Sequence, residues 1–212
     1  MSSDESKSFL QNVATYYSHT LAQHGTTAKG VDWNGAESQR IRFEQVSKII
    51  GSKAPFSIND VGCGYGALLD YLREIYPDFT YCGVDVSQSM IDSANIQHQG
   101  ASNAAFYHGT DAPHINDYSV ASGIFSVCLE TPHEQWRQYI EDTIFKLDAW
   151  STKGFAFNCL TSYSDADKMK PHLYYADPCE LFDFCKRNFS QQVALLHDYG
   201  LYEFTILVRK PQ

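Results

Sequence analysis

The stretch INDVGCGYGALLDYL, residues 58–72, decides the fold. It opens as an apolar strand and closes as the start of an amphipathic helix. Between the two, Gly62, Gly64 and Gly66 occupy every second position, with Asp60 just ahead of them. A strand that turns on glycines into a helix brings a ligand close to bare backbone, with the free N–H groups of the helix aimed at it.

The same alternation runs outward from this turn. Residues 56–61, 79–85, 104–108, 119–127 and 154–160 read as strands, and residues 67–75, 89–98, 134–150 and 179–188 as helices, Ser87 capping the second of these. Residues 8–24 and 36–50 read as two further helices, joined by the loop HGTTAKGVDWNG. Strands alternating with helices predict a doubly wound parallel sheet with helices on both faces. The last two strands, residues 192–197 and 202–209, are joined by the short turn Asp198-Tyr199-Gly200, which can connect only antiparallel neighbours. The expected fold class is therefore α/β, a mostly parallel seven-stranded sheet with an antiparallel C-terminal strand.

Ligands of such sheets bind beyond the C-terminal ends of the strands, where the strand order reverses. Gly62-x-Gly64-x-x-Ala67 satisfies the dinucleotide pattern G-x-G-x-x-G/A, and Asp85 ends the second strand, where a carboxylate would grip ribose hydroxyls. An NAD-type oxidoreductase is thus one reading. Asp60 beside the turn would repel a pyrophosphate but tolerates a cationic cofactor. Together DVGCGYG, VDVSQSMID around Asp85 and HGTDAP around Asp111 resemble the class I S-adenosylmethionine-dependent methyltransferases over about residues 56–210. The resemblance implies S-adenosylmethionine as cofactor. Gly62, Gly64 and Gly66 would lie against its methionyl part, with Asp60 holding the amino group. Asp85 would bind the ribose, Asp111 the adenine amine, Val86 and Met90 would flank the adenine, and Ala112 would offer a backbone contact.

Residues 1–52 resemble the helical cap of small-molecule methyltransferases, ahead of a cofactor-binding domain at residues 53–212 that forms with it a single structural unit. In the cap, Tyr16, Tyr17, Trp33 and Arg42 are the candidates to shape the acceptor pocket, Arg42 by pairing with a carboxylate of cofactor or substrate. Asn158 ends a strand but is not followed by the Pro-Pro-aromatic signature of enzymes that methylate nitrogens on DNA or protein glutamine. Methyl transfer from a sulfonium needs alignment and exclusion of water, and a base only where the acceptor must lose a proton early. Glu130, His133 and Tyr163 are the candidates for that base.

Composition narrows the partners. A net charge of -9 with no basic patch argues against nucleic acid, and a small-molecule acceptor remains. Six cysteines without a CxxC pair point to no metal site and to a reduced, cytoplasmic setting. No run of the sequence is long and apolar enough to suggest a membrane span. A cofactor-binding protein without transferase activity is the other reading: the intact Asp60, glycine turn, Asp85 and Asp111 argue against a decayed cofactor site and leave the acceptor side open.

Overall fold

A computed structural model of the chain describes residues 3–51 and 55–211. The strands are β1 (Phe56–Val61), β2 (Phe79–Asp85), β3 (Ala104–His108), β4 (Asn116–Ala121), β5 (Ser151–Thr161), β6 (Tyr175–Ala176), β7 (Gln192–Leu196) and β8 (Glu203–Arg209). Seven of them form the path β3-β2-β1-β4-β5-β8-β7, and the two-residue β6 pairs with β5 at Leu160 and Thr161. Among the described strands, β8 alone runs against the direction of the rest, pairing antiparallel with both β5 and β7. The order reverses between β1 and β4, so the glycine turn after β1 opens at the switch point.

Side chains alternate between the two faces of the sheet, as the strand period of two requires. On one face, Phe155 and Phe157 of β5 and Phe204, Ile206 and Val208 of β8 pack against α5 (His133–Ala149) and α6 (Pro178–Asn188), joined by Phe9 and Val13 of α1 (Ser3–His24). On the other, Phe56 and Ile58 of β1 and Val120 of β4 meet α3 (Ala67–Ile75) and the Phe43–Val46 side of α2 (Ala36–Ser47). The stripe expected on α5 is the buried one: Trp136, Ile140, Ile144 and Leu147 have almost no exposure. A short 3-10 turn, Ala28–Val31, and α4 (Gln88–Gln97) complete the set, with Ser87 accepting from the Met90 amide as the N-cap of α4.

One strand differs from its expected course. The apolar run at residues 119–127 is strand only to Ala121. Gly123 then turns the chain at φ +88°, and its N–H donates to Asn158 Oδ1 at 2.8 Å. Phe125 and Val127 stay buried beyond the strand, Val127 in an isolated antiparallel bridge to Leu173. A continuous apolar run marks burial, and burial alone does not separate a strand from a packed loop. The boundary expected between residues 52 and 53 lies outside the described residues. Among the described residues, no helix is long and apolar enough to cross a membrane.

Candidate functional site

The C-terminal ends of β1, β2 and β4 form the floor of a cavity of about 400 Å³. Its walls include residues of α1, the 3-10 turn and the loop after it, α2, α3, α4, α5 and the loop after β3, among them Leu10, Tyr17, Trp33, Phe43 and Tyr139.

Asp60 lies at the floor, 3% exposed, and its Oδ2 accepts a hydrogen bond of 2.5 Å from the Tyr81 hydroxyl. Burial pushes its carboxyl up to about 7, the nearby Asp85 adds to the rise, and the Tyr81 bond opposes both. The folded chain therefore holds a proton between about pH 4 and 7 that the unfolded chain has released. Stability should fall as pH rises through that window, by up to ~4 kcal/mol from this group. Asp60→Asn keeps an oxygen for Tyr81 and should remove this slope. Urea titrations of both proteins at pH 5 and pH 8 check it, and parallel pH profiles would exclude the linkage.

Asp85 closes β2 with each carboxylate oxygen on a backbone donor: Oδ2 accepts from Gly64 N at 2.9 Å and Oδ1 from Ser87 N at 2.8 Å. Burial raises its carboxyl above the ordinary range while these two bonds hold it down. The glycine turn is itself tied back to the sheet. Gly62 N and Cys63 N both donate to the Val84 carbonyl, at 2.7 and 3.0 Å, and Gly66 N donates to Cys63 O at 3.0 Å. A pyrophosphate cradle needs such N–H groups unpaired. Four of them are already engaged here, so the turn offers close approach rather than anion binding. A side chain at Gly62 would place its Cβ 1.9 Å from Ile124 Cγ2, which ties the turn closely to the loop after β4.

The sequence candidates separate in space. Asp60, Gly62, Gly64, Asp85, Val86, Met90, Asp111, Tyr17 and Trp33 all line the cavity. Asp111 is exposed on the loop after β3 and is paired with Lys146 at 2.7 Å. Gly66 lies off the lining, and its Cβ position falls 2.6 Å from His98 Nε2, so packing of the buried His98 ring demands the glycine. Ala112 is buried beside Cys82 and Val84, also off the lining. Tyr16 turns away and donates to Asp32 at 2.7 Å. Arg42, expected on a cofactor or substrate carboxylate, donates instead from Nε and Nη2 to Glu203 of the same chain. Asn158 is buried under the lining, bonded to Gly123 N and Ser122 Oγ.

Glu130, His133 and Tyr163 lie outside the lining. Glu130 and His133 are exposed, the latter edge-on to Tyr174, and Tyr163 is 68% exposed beside His197. Among the polar groups that sequence reasoning missed are three on α5, where Tyr139, Thr143 and Lys146 line the cavity. Their spacing of i, i+4 and i+7 makes one helical stripe beside the apolar one, a legible signal. Burial pushes the Tyr139 hydroxyl up to about 12 and raises that of Tyr17 further, so both stand as neutral donors on the wall.

A family model described as a methyltransferase domain matches residues 58–144. A Mycobacterium tuberculosis protein carrying the name "Putative methyltransferase Rv1506c" is 57% identical over 163 residues, which cover 77% of this chain and 98% of that protein. Among solved structures, the magnesium protoporphyrin IX methyltransferase (ChlM) of Synechocystis PCC 6803 with bound SAH superimposes with a TM-score of 0.67 at 14% identity, over 95% of this chain and 99% of that one. A SAM-dependent methyltransferase from Aquifex aeolicus gives 0.60 at 18% identity, over 84% and 95%. The human N-acetylserotonin methyltransferase in complex with SAM gives 0.58 at 13%, over 96% of this chain and 67% of that one. These structural likenesses carry the fold, and the sequence relative carries the family: the chain belongs to the class I S-adenosylmethionine-dependent methyltransferases.

Proposed function

We propose that this chain methylates a small-molecule acceptor held in the cavity beneath its N-terminal helices. The single observation that carries the cofactor assignment is Asp85, a carboxylate at the end of β2 that closes the glycine turn while facing the cavity. Its two oxygens each keep a lone pair for the two ribose hydroxyls. Asp60 holds the ammonium, Gly62 and Gly64 lie against the methionyl chain, Val86 and Met90 flank the adenine, and Asp111 accepts from its amine. S-adenosylmethionine supplies a methyl group on a cationic sulfur, which leaves the chain's own residues to align the acceptor and keep water out.

The acceptor end is bounded by Leu10, Val13, Tyr17, Trp33, Ile124 and Tyr139, an apolar wall with two neutral phenols. Such a wall suits a compact, largely apolar molecule whose polar atom accepts from Tyr17 or Tyr139. The roof formed by α1, the 3-10 turn and α2 acts as a cap and supports a molecule small enough to be enclosed. The solved neighbour named for N-acetylserotonin methylation is in keeping with this size class.

Calorimetric titration with S-adenosylhomocysteine, with NAD as control, tests the reading. Micromolar binding of the former alone is expected, tighter at pH 8 than at pH 6 because an ammonium beside Asp60 favours the ionised carboxyl. Binding of NAD alone would overturn it. Cofactor binding with no turnover across a broad acceptor panel would favour a cofactor-binding protein without transferase activity.

A further inference from the structure

A closed ring of contacts joins the N-terminal helices to the far side of the sheet. Arg42 on α2 is 7% exposed and donates from Nε to both carboxylate oxygens of Glu203 at 2.8 Å. Glu203, at the start of β8, accepts from Asn158 Nδ2 at 3.4 Å. Asn158 on β5 in turn accepts from Gly123 N at 2.8 Å and donates to Ser122 Oγ at 3.2 Å. Gly123 packs so closely on the indole of Trp33 that a Cβ there would lie 2.9 Å from its Cζ2. The ring closes where the Arg42 guanidinium stacks over Trp33, 4.7 Å from the ring centroid.

The chemistry of Arg42 argues for more than a structural ion pair. Its Nη1 is buried with no hydrogen-bond partner among the described residues. The guanidinium is therefore only partly satisfied by Glu203, and its charge also rests against the indole of Trp33. Trp33 is contacted both by that charge and by the bare Gly123 backbone. Three members of the ring, Trp33, Ser122 and Gly123, line the cavity, and three, Arg42, Glu203 and Asn158, lie behind it.

We propose that Arg42, Glu203 and Asn158 are positioning residues that latch Trp33 and the Ser122-Gly123 turn into one rigid wall of the cofactor cavity. The inference rests on the reading of that cavity given above. The ring links residues of the cap to β5, β8 and the turn after β4, so a ligand enclosed by Trp33 leaves only when the latch yields. Arg42 and Glu203 set the position of Trp33, and Asn158 carries the constraint to Gly123.

The test compares wild type with the double variant Arg42→Met/Glu203→Met and with Asn158→Ala. Replacing a buried ion pair by apolar side chains of similar length often leaves stability unchanged, so the double variant should fold and melt near wild type. Two readouts are taken: the dissociation rate of S-adenosylhomocysteine on displacement by excess unlabelled ligand, and amide hydrogen exchange at Gly123 without ligand. In the double variant we expect dissociation and Gly123 exchange each to quicken by about tenfold or more, although Asn158 itself is untouched. Asn158→Ala should reproduce both effects. A folded double variant with wild-type exchange at Gly123 would overturn the latch, whatever the ligand does. A wild-type protein that binds no S-adenosylhomocysteine would fail the reading of the cavity, and Gly123 exchange would still decide the latch.

Discussion

Asp85→Ala is expected to weaken S-adenosylhomocysteine binding by more than a hundredfold while the protein remains folded. Two ribose hydroxyls would lose a charged acceptor, and each such loss costs roughly 1.5–3 kcal/mol. The tertiary structure adds a second source. Gly64 N and Ser87 N donate to the same carboxylate, so its removal frees the glycine turn and the entry to α4 together. Melting temperature should therefore drop as well, though the α4 cap survives through Ser87 Oγ and the Met90 amide. Asp85→Asn, which retains one accepting oxygen, should lie between the two. Calorimetry on all three proteins measures this series, and an unchanged dissociation constant in a folded alanine variant would refute the assignment of Asp85.

Gly64→Val should abolish measurable cofactor binding. Gly64 has φ +54°, a left-handed conformation in which a side chain costs roughly 1–2 kcal/mol and a β-branched one more. Its Cβ would stand 3.2 Å from Val31 Cγ1 and 3.9 Å from Met90 Sδ, and the two γ-carbons of valine would extend from that crowded point at the cavity floor. The strain predicts a fall in melting temperature of about 5 °C, small enough to leave a folded protein. Gly64→Ala keeps the left-handed strain common to any side chain with a single methyl and no β-branch, so its residual binding separates strain from obstruction. Normal affinity in the valine variant would mean that Gly64 does not border the ligand.

Arg42 and Gly66 show where reading residues in order runs out. An arginine in a cap invites a ligand carboxylate, yet its partner here is Glu203, 161 positions away and placed opposite only by the antiparallel return of β8. Gly66 shares the two-residue spacing of Gly62 and Gly64, but its glycine is demanded by His98, brought beneath it by α4. Glu130, His133 and Tyr163 likewise follow strand ends in sequence, and the fold leaves all three off the cavity lining.

By itself the sequence determined the elements, because their causes are local. The bounds of β1, α3, β2 and β3 follow from hydrophobic period, glycine turns and the Pro77 stop, and Ser87 was legible as a cap from its own side chain. The short final turn likewise dictated one antiparallel strand. The acids at the strand ends were legible too, since strand direction alone brings Asp60 and Asp85 to one edge. The tertiary structure decided which neighbours those residues meet: the raised Asp60 carboxyl, the engaged N–H groups of the turn, the Tyr139 wall and the ring around Trp33. Burial and long-range pairing create these properties, and they exist only after segments distant in sequence have packed together.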